Sequence, residues 1–337
     1  MILAGDVGGT NTRLGLFRQQ ARNLVSIAEE RFPSQEFASL EVIVREFLAH
    51  HRGRGQRVAC CAMGVAGPVI DGRSQVVNLR WSVDARRLGR SLRLGRERVH
   101  VINDLEATAW GLPCLPPRKL RSLTPGVRAG SGNAALIAAG TGLGMALLIR
   151  EGDRFRPYPS EGGHQQFGPR DEFEIDLLRF LRQRHGRVSI ERLVAGPGIS
   201  AIYRFLLERH RQREPEWLGR RLAAGEDPNA VITEVGLEGK DPVARETLDR
   251  FVSLYGAAAG DLALVSKATG GVYVGGGIAP RILPRLESGE FVRAFRDKGR
   301  LTPLVESIPV KVILESRTAL IGAAARAAAE RQRSAKR

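Results

Sequence analysis

Cysteine, aromatic residues and long apolar runs are all scarce in this chain of 337 residues. Its three cysteines are Cys60, Cys61 and Cys114, and because two are adjacent and none forms a C-x-x-C pair, a disulfide framework and a cysteine-ligated zinc site are excluded. We expect buried free thiols in a reducing cytoplasm. No apolar run reaches the ~18 residues of a membrane span, and the chain starts without the basic start and apolar core of a signal peptide. We therefore expect a cytoplasmic protein without a membrane partner.

Acidic residues are also few, 36 against 52 lysines and arginines, which gives a net charge of +16. A basic surplus is one mark of nucleic-acid binding proteins. Here, however, arginines are spread through every segment with Glu or Asp nearby, and the aromatic residues (6%) do not alternate with basic ones as stacking platforms do. Only the C-terminal RQRSAKR is a basic run, which is typical of a solvated tail. We therefore expect no specific nucleic-acid partner.

Strands and helices alternate along the chain. Two strands are predicted at Ile2–Asp6 and Thr12–Phe17, around a tight glycine turn, and an amphipathic helix at 40–51. A buried strand ends at 64–68, and the strand VHVIND runs into a further helix. After the proline-rich linker LPCLPPRK (112–119), the strand, glycine turn and strand pattern recurs in AALIAAGTGLGMALLIR. This order predicts an α/β protein with two related halves.

The second half is richer in helix. Helical spacing predicts helices at 171–185, 197–209 and about 243–268. GGVYVGGGIAPRIL then predicts a strand, a triple glycine and a helix, and TALIGAAARAAAERQR predicts a final helix of small residues.

Three glycine segments each follow a predicted strand. The first, GDVGGTNTRLGLF, is neither a Walker A loop nor a G-x-G-x-x-G turn, and by itself it suits a phosphate site and a plain hairpin equally well. Glycine amides can cradle an anion, and Asp6 beside such a site would act through Mg²⁺, because a bare carboxylate repels a phosphate. Similar segments at Gly140–Gly144 and Gly275–Gly277 make three. Together they favour a nucleoside triphosphate.

Polar residues suited to a polyhydroxyl ligand lie between these segments. Asn103 and Asp104 end a strand and precede a helix, where they could cap the helix or hold a sugar hydroxyl and accept its proton. Glu161 and His164 flank a glycine pair, which suits a surface hydrogen bond or a shared ligand. Glu191, at the start of a predicted helix, could interact with the helix dipole or with a ligand. Taken separately, these patterns are weak.

Taken together, the motifs resemble the bacterial glucokinase family, the zinc-free branch within the sugar kinase, heat-shock ATPase and actin superfamily. The similarity runs from residue 3 to about 325 through GDVGGTNTRLGLF, INDLEATAWGL, AAGTGLGMALL, EGGHQQF, VSIERLVAGPG, GGVYVGGGIAPR and FRDKGR. It implies ATP-dependent phosphorylation of glucose to glucose 6-phosphate, with ATP and Mg²⁺ as cofactors and Asp104 as the catalytic base.

The resemblance also implies the binding residues. Those for the sugar are Asn103, Asp104, Glu161, His164, Glu191 and Asn78, the last in a stretch richer in arginine than expected. Those for the ATP phosphates are Gly5, Asp6, Val7, Gly8, Gly9, Thr10, Gly140, Thr141, Gly142 and Gly144, and those for adenosine are Gly275, Gly276 and Gly277. Asp6 is expected to hold Mg²⁺ through water.

The implied fold is a two-domain actin-like ATPase (ribonuclease H-like) fold, with a cleft between a small α/β domain and a larger α+β domain. We expect the small domain at 1–114 plus about 314–332, the large domain at 115–313 and a basic tail at 333–337. A homodimer is expected. Three alternatives stay open: a kinase for another hexose such as mannose or N-acetylmannosamine, a sugar-independent ATPase or regulator on the same fold, and, on charge alone, a nucleic-acid binder.

Overall fold

The computed structural model describes residues 1–20, 23–51, 57–76 and 79–334. Its strands are β1 (Ile2–Val7), β2 (Asn11–Gln20), β3 (Asn23–Pro33), β4 (Cys60–Val65), β5 (Arg73–Gln75), β6 (Ser82–Asp84), β7 (Val99–Asn103), β8 (Leu120–Ser122), β9 (Ala134–Ala139), β10 (Leu143–Glu151), β11 (Arg154–Ser160), β12 (Gly271–Gly275) and β13 (Val310–Ile313). Its α-helices are α1 (Leu40–His50), α2 (Ala85–Leu92), α3 (Asp104–Gly111), α4 (Glu172–His185), α5 (Gly196–Arg209), α6 (Glu216–Ala223), α7 (Pro228–Glu238), α8 (Pro242–Ser266), α9 (Leu283–Leu286), α10 (Glu290–Arg296), α11 (Thr302–Glu306) and α12 (Thr318–Ser334).

The chain divides into two compact units. The first comprises Met1–Lys119, Arg156–Pro159 and Glu315–Arg337, and the second comprises Leu120–Phe155 and Ser160–Leu314. The expected domain limits, 1–114 with about 314–332 for the small domain and 115–313 for the large domain, remain a prediction. Of the expected basic tail, 335–337 lie outside the described residues.

The first unit is built on a sheet with the strand order β3-β2-β1-β4-β7. β1 runs antiparallel to β2 and parallel to β4. Alternate residues of β1 face opposite sides, as the pleat requires. Leu3 and Val7 pack in the cluster formed with α1 and α2, whereas Ile2 and Ala4 pack against α12. The sheet is therefore covered by helices on both faces, which suits its parallel strands.

The small residues of α12 allow it to pack closely against α3. A Cβ atom at Gly322 would lie only 1.7 Å from the carbonyl oxygen of Ala107, and one at Gly111 would lie 2.3 Å from the carbonyl oxygen of Thr318. Side chains at either glycine would push the two helices apart. The small residues of this segment predicted a helix, and the close packing of α12 against α3 explains why those residues are small.

The second unit repeats the strand order of the first. Its strands belong to a six-stranded sheet, in which the order β10-β9-β12-β13 matches β2-β1-β4-β7: β9 and β10 form an antiparallel hairpin, and β12 and β13 continue in parallel with β9. The two halves inferred from the repeated glycine-turn pattern are thus present as a repeated topology.

The long helix α8 lies at the centre of the second unit. Its middle, residues 251–260, is apolar and buried on every side, as expected for a helix segment in a core, whereas its first turns carry charged residues. Its GAAAG segment receives α10: a Cβ atom at Gly256 would lie 2.2 Å from the carbonyl oxygen of Phe291, and one at Gly260 would lie 2.5 Å from that of Phe295. Small residues are therefore required at this contact.

Two expectations about local structure need correction, and one strand was not predicted. The triple glycine does not open a helix: residues 276–282 form turns, in which Gly276 takes a left-handed φ of +85°, and only the four-residue α9 follows. β3, an edge strand of mixed polar and apolar residues, was not predicted. Cys60 and Cys61 are buried as expected, but Cys114 is exposed in the turn at 112–114. Across the described residues, none of the helices is both long and apolar enough to cross a membrane.

Candidate active site

The first glycine turn joins β1 and β2 and is stabilised by hydrogen bonds that involve two buried hydroxyl groups. The Gly8 amide donates to the carbonyl of Asn11 at 2.9 Å, within the turn, so it does not point outward as the sequence suggested. Ser34 Oγ donates to the Gly8 carbonyl at 2.8 Å and lies 2.9 Å from Thr12 Oγ1. Both hydroxyl residues are fully buried. Ser34 was not predicted, because its partner Thr12 is 22 residues away and no motif links them.

Asp6 lies at the end of β1, beside this turn. Burial raises the pKa of its carboxyl, and Arg13, which pairs with it across the β1–β2 ladder, opposes the shift. A cation at Asp6 would favour the charged carboxylate that burial disfavours. In the described part of the chain, no three His, Cys, Asp or Glu side chains form a group able to hold a metal. Since Mg²⁺ keeps several waters and needs only one or two carboxylates plus phosphate oxygens, Asp6 fits a water-mediated Mg²⁺.

Asn103 and Asp104 have different roles at the start of α3. Asn103 is the N-cap: its Oδ1 accepts from the amides of Leu105 at 2.8 Å and Glu106 at 3.4 Å. Its Nδ2 donates to the carbonyl of Gly67 at 3.0 Å. Asp104 is the first helical residue, and its Oδ1 accepts from the Leu105 amide at 2.9 Å. The capping role open to either residue in the sequence therefore belongs to Asn103.

Gly64 of β4 is a backbone neighbour of both Asp6 and Asp104. It pairs in register with Asp6 on β1. A Cβ atom there would lie 2.7 Å from the Cβ of Ala107 and 3.7 Å from the Cα of Asp104. Only glycine therefore lets the first turn of α3 pack this closely on β4. The sequence marked this glycine as the end of a strand and gave no signal of the contact.

The second glycine turn, between β9 and β10, is braced by two later segments. The Gly140 amide donates to the Gly142 carbonyl at 2.9 Å, and the Gly196 amide, at the start of α5, donates to the Gly140 carbonyl at 2.8 Å. The Leu143 amide donates to Glu191 Oε2 at 2.9 Å. A Cβ atom at Gly142 would lie 2.7 Å from the same oxygen. Glu191 is thus fixed against the turn, a contact that the sequence did not predict.

Glu161, His164 and Glu191 lie close together. His164 Nδ1 lies 3.8 Å from Glu191 Oε1, and His164 Nε2 lies 4.0 Å from Glu161 Oε2. Their side chains are 67%, 57% and 28% exposed for Glu161, His164 and Glu191 respectively, so a ligand can reach them. A Cβ atom at Gly163 would lie 2.0 Å from the Leu143 carbonyl oxygen, so the glycine pair seats this loop directly on β10.

The third glycine segment lies against the second. A Cβ atom at Gly276 would lie 2.1 Å from the Ala139 carbonyl oxygen, which also accepts from the Ile278 amide at 3.2 Å. At Gly140 and Gly277, by contrast, a Cβ atom would meet open space. These two positions can therefore be approached closely by a ligand.

Some of the expected nucleotide-binding residues lie inside strands. Gly5 and Val7 belong to β1, Gly144 to β10 and Gly275 to β12. The Val7 side chain is buried in the core, so only its backbone could face a nucleotide. Asn78, expected to contact sugar, lies outside the described residues.

Comparison with known proteins gives a consistent result. Residues 3–330 match the family model described as Glucokinase. A curated glucokinase of Trichormus variabilis is 38% identical over 337 residues, which cover 96% of this chain and 98% of that protein. Among solved structures, a glucokinase from an Antarctic psychrotroph is 31% identical, with a TM-score of 0.85 and coverage of 97% and 98% of the two chains.

A more distant structure shows likeness of fold alone. The ROK family glucokinase from Streptomyces griseus, solved in complex with glucose and AMPPNP, is 21% identical with a TM-score of 0.62, and the match covers 96% of this chain and 97% of that one. These likenesses confirm the expected actin-like ATPase fold. Because the family model and the close relatives span nearly the whole chain, this protein belongs to the glucokinase family.

Proposed function

We propose that this glucokinase-family enzyme transfers the γ-phosphoryl group of ATP to the 6-hydroxyl of D-glucose. The observation that carries the proposal is the position of Glu191: one carboxylate oxygen accepts from Leu143 beside a glycine turn, and the other faces His164 at 3.8 Å. A cluster suited to sugar hydroxyls therefore adjoins a turn suited to phosphates. A pure ATPase has no use for such a cluster.

In this mechanism Asp104 accepts the proton of the 6-hydroxyl while the oxygen–phosphorus bond forms and ADP leaves. Asn103, Glu161, His164 and Glu191 orient the other sugar hydroxyls. The transition state of phosphoryl transfer is loose, so positioning and charge stabilisation supply most of the rate enhancement. Asp6 would hold Mg²⁺ through water, and the ion would neutralise phosphate charge when bound. Glycines 140 and 277, where the backbone is open, allow the nucleotide close access.

Activity with a panel of sugars tests the proposal. Purified protein with Mg-ATP should form ADP and glucose 6-phosphate, with the highest kcat/KM for glucose over mannose and N-acetylmannosamine, and EDTA should abolish the reaction. Asp104→Asn, purified in the same way, controls for contaminating kinases. If no sugar in the panel gave sugar-dependent ADP, the kinase assignment would be wrong and the ATPase or regulator would replace it. A higher kcat/KM for another hexose would change the proposed substrate and leave the proposed reaction, phosphoryl transfer to a hexose, in place.

Two finer expectations remain predictions. A homodimer should sediment with twice the 36.8 kDa mass of the chain. A cytoplasmic location can be tested by fractionating the source cells.

A further inference from the structure

Tyr255 lies in the middle of α8 and has no exposed surface. Its hydroxyl reaches the ends of two central strands of the six-stranded sheet. The hydroxyl oxygen accepts from the Ala139 amide at 3.1 Å, at the end of β9. It donates toward the carbonyl of Gly275 at 3.2 Å, at the end of β12, with the Ile137 carbonyl slightly farther away at 3.4 Å.

The hydroxyl replaces a backbone hydrogen bond that the two strands do not make at this point. The parallel pairing of β9 with β12 ends at Ala138 and Gly275. At the next residue, Gly276 turns away with its left-handed φ, so the strand amide of Ala139 would otherwise be buried without a ladder partner. An unpaired buried amide is strongly unfavourable, and the tyrosine hydroxyl satisfies it.

The segments that follow these two strand ends are the proposed nucleotide-binding turns. Residues 140–142 continue from Ala139, and residues 276–277 continue from Gly275. One hydroxyl therefore joins the bases of both turns. The ring is held in place by edge contacts with Phe251 and Phe291, whose centroids lie 6.0 and 5.6 Å away. Burial raises the pKa of the phenol, which keeps its donor proton in place.

We propose that Tyr255 is a positioning residue for the nucleotide: its hydroxyl fixes the separation of the two glycine turns that bind ATP. The inference rests on the proposed function, because it requires ATP to bind both turns. It predicts that removal of the hydroxyl weakens the binding of ATP but not of glucose, since Glu161, His164 and Glu191 make no described contact with this tyrosine.

The test is Tyr255→Phe, which removes the hydroxyl and keeps the ring. Tyr203→Phe is the matched control, because Tyr203 is also almost fully buried in the second unit and its hydroxyl bonds to none of the described groups. Calorimetric titration with Mg-ATP should show the Kd for ATP rising roughly three- to tenfold in Tyr255→Phe. The KM for glucose at saturating ATP should stay within about twofold, as should both constants in Tyr203→Phe.

Hydrogen exchange gives a second measurement that does not depend on activity. The peptide covering 134–142 should exchange faster in folded Tyr255→Phe, while the core of α5 should keep its protection. An unchanged ATP affinity in Tyr255→Phe, or unchanged protection at 134–142, would overturn the inference. An equal loss for ATP and glucose, or the same loss in Tyr203→Phe, would overturn it too, because that result means general core damage. Wild-type protein that bound no ATP would instead refute the proposed function, and this inference with it.

Discussion

At the residue scale, Asn103 and Asp104 lie side by side at the start of α3, and Asn103 is its N-cap. Both residue types are good helix caps, so the sequence alone could not separate a cap from a base. Asn103 makes the capping bonds and Asp104 is the first residue of α3. The Asp104 carboxylate is therefore not needed to cap the helix, which makes its substitution a clean test.

Asp104→Asn should lower kcat by ~10²-fold or more, because the amide keeps the shape but cannot accept the proton. Glucose affinity should change little, as should the thermal unfolding temperature. Steady-state kinetics with a glucose-binding titration will measure both. Asn103→Ala is the contrast, and it should destabilise the protein by about 1 kcal/mol through loss of the cap. A near-normal kcat in Asp104→Asn would remove Asp104 from the mechanism.

The glycines of the proposed nucleotide site fall into two physical classes. Gly140→Ala and Gly277→Ala place a methyl group in open space, so stability should be retained while ATP affinity falls because the ligand can no longer approach the backbone. Gly276→Ala should destabilise the fold, since its φ is +85° and Ala139 O lies 2.1 Å from the new Cβ. Thermal unfolding and ATP titration of the three variants separate the classes. Wild-type ATP affinity in both open-position variants would mean that these glycines only form turns.

At the element scale, the loop that carries Glu161 and His164 is fixed by the strand beneath it. Gly162 and Gly163 rest on the side chain of Met145 and the backbone of Leu143, and Ser160 Oγ donates to the Met145 carbonyl at 3.1 Å. The Gln165 carbonyl accepts from the Ile190 amide at 2.9 Å, which places the Glu191 turn beside the loop. The arrangement of the proposed sugar-binding cluster therefore results from packing of the loop on β10.

Glu161→Ala and His164→Ala should each raise the KM for glucose with little change in that for ATP. A lost charged hydrogen bond costs about 1.5–3 kcal/mol, which corresponds to roughly a ten- to 150-fold weaker interaction. Initial rates with each substrate varied in turn give both constants. Glu172→Ala, at an exposed glutamate of α4, is the control and should behave like the wild type. Normal glucose KM values in both loop variants would make the loop structural only.

At the scale of the whole molecule, the chain leaves the first unit after Lys119 and, apart from Arg156–Pro159, returns to it only at Glu315. These two crossing points are tied to each other by an ion pair, with Lys119 Nζ 3.3 Å from Glu315 Oε2. Arg317 bonds Glu315 at 3.1 Å and Glu29 at 3.0 Å. Arg317, with Lys119, lowers the pKa of Glu315 from 4.5 to about 2.

Glu315→Gln should therefore destabilise the protein in a pH-dependent way. A carboxyl whose pKa is lowered on folding contributes stability above its unfolded pKa and loses that contribution as the pH falls toward the folded value. We expect about 1–2 kcal/mol at pH 7, reduced from the full shift because Arg317 and Lys119 are partly exposed. The difference from wild type should shrink between pH 5 and pH 2, as measured by urea unfolding. Glu306→Gln, at an exposed glutamate, is the control, and a constant difference for Glu315→Gln would contradict the assignment.

The sequence by itself determined the elements and their order. Alternation and helical spacing are local properties, so β1 and β2, β9 and β10, and the helices α1, α4, α5, α8 and α12 were predicted close to their observed limits. Glycine turns are equally local, and motif order was enough to identify the family. Edge strands such as β3 were missed because their mixed pattern carries little periodicity.

Only the tertiary structure decided which groups meet. Ser34 contacts Thr12 across 22 residues, and Tyr255 contacts Ala139 across 116, distances over which no local pattern carries information. It likewise assigned the cap to Asn103 and directed the Gly8 amide into its own turn. Such roles depend on which donors and acceptors packing leaves buried together. A buried polar group must find a partner, and that partner is set by the fold rather than by neighbours in the chain.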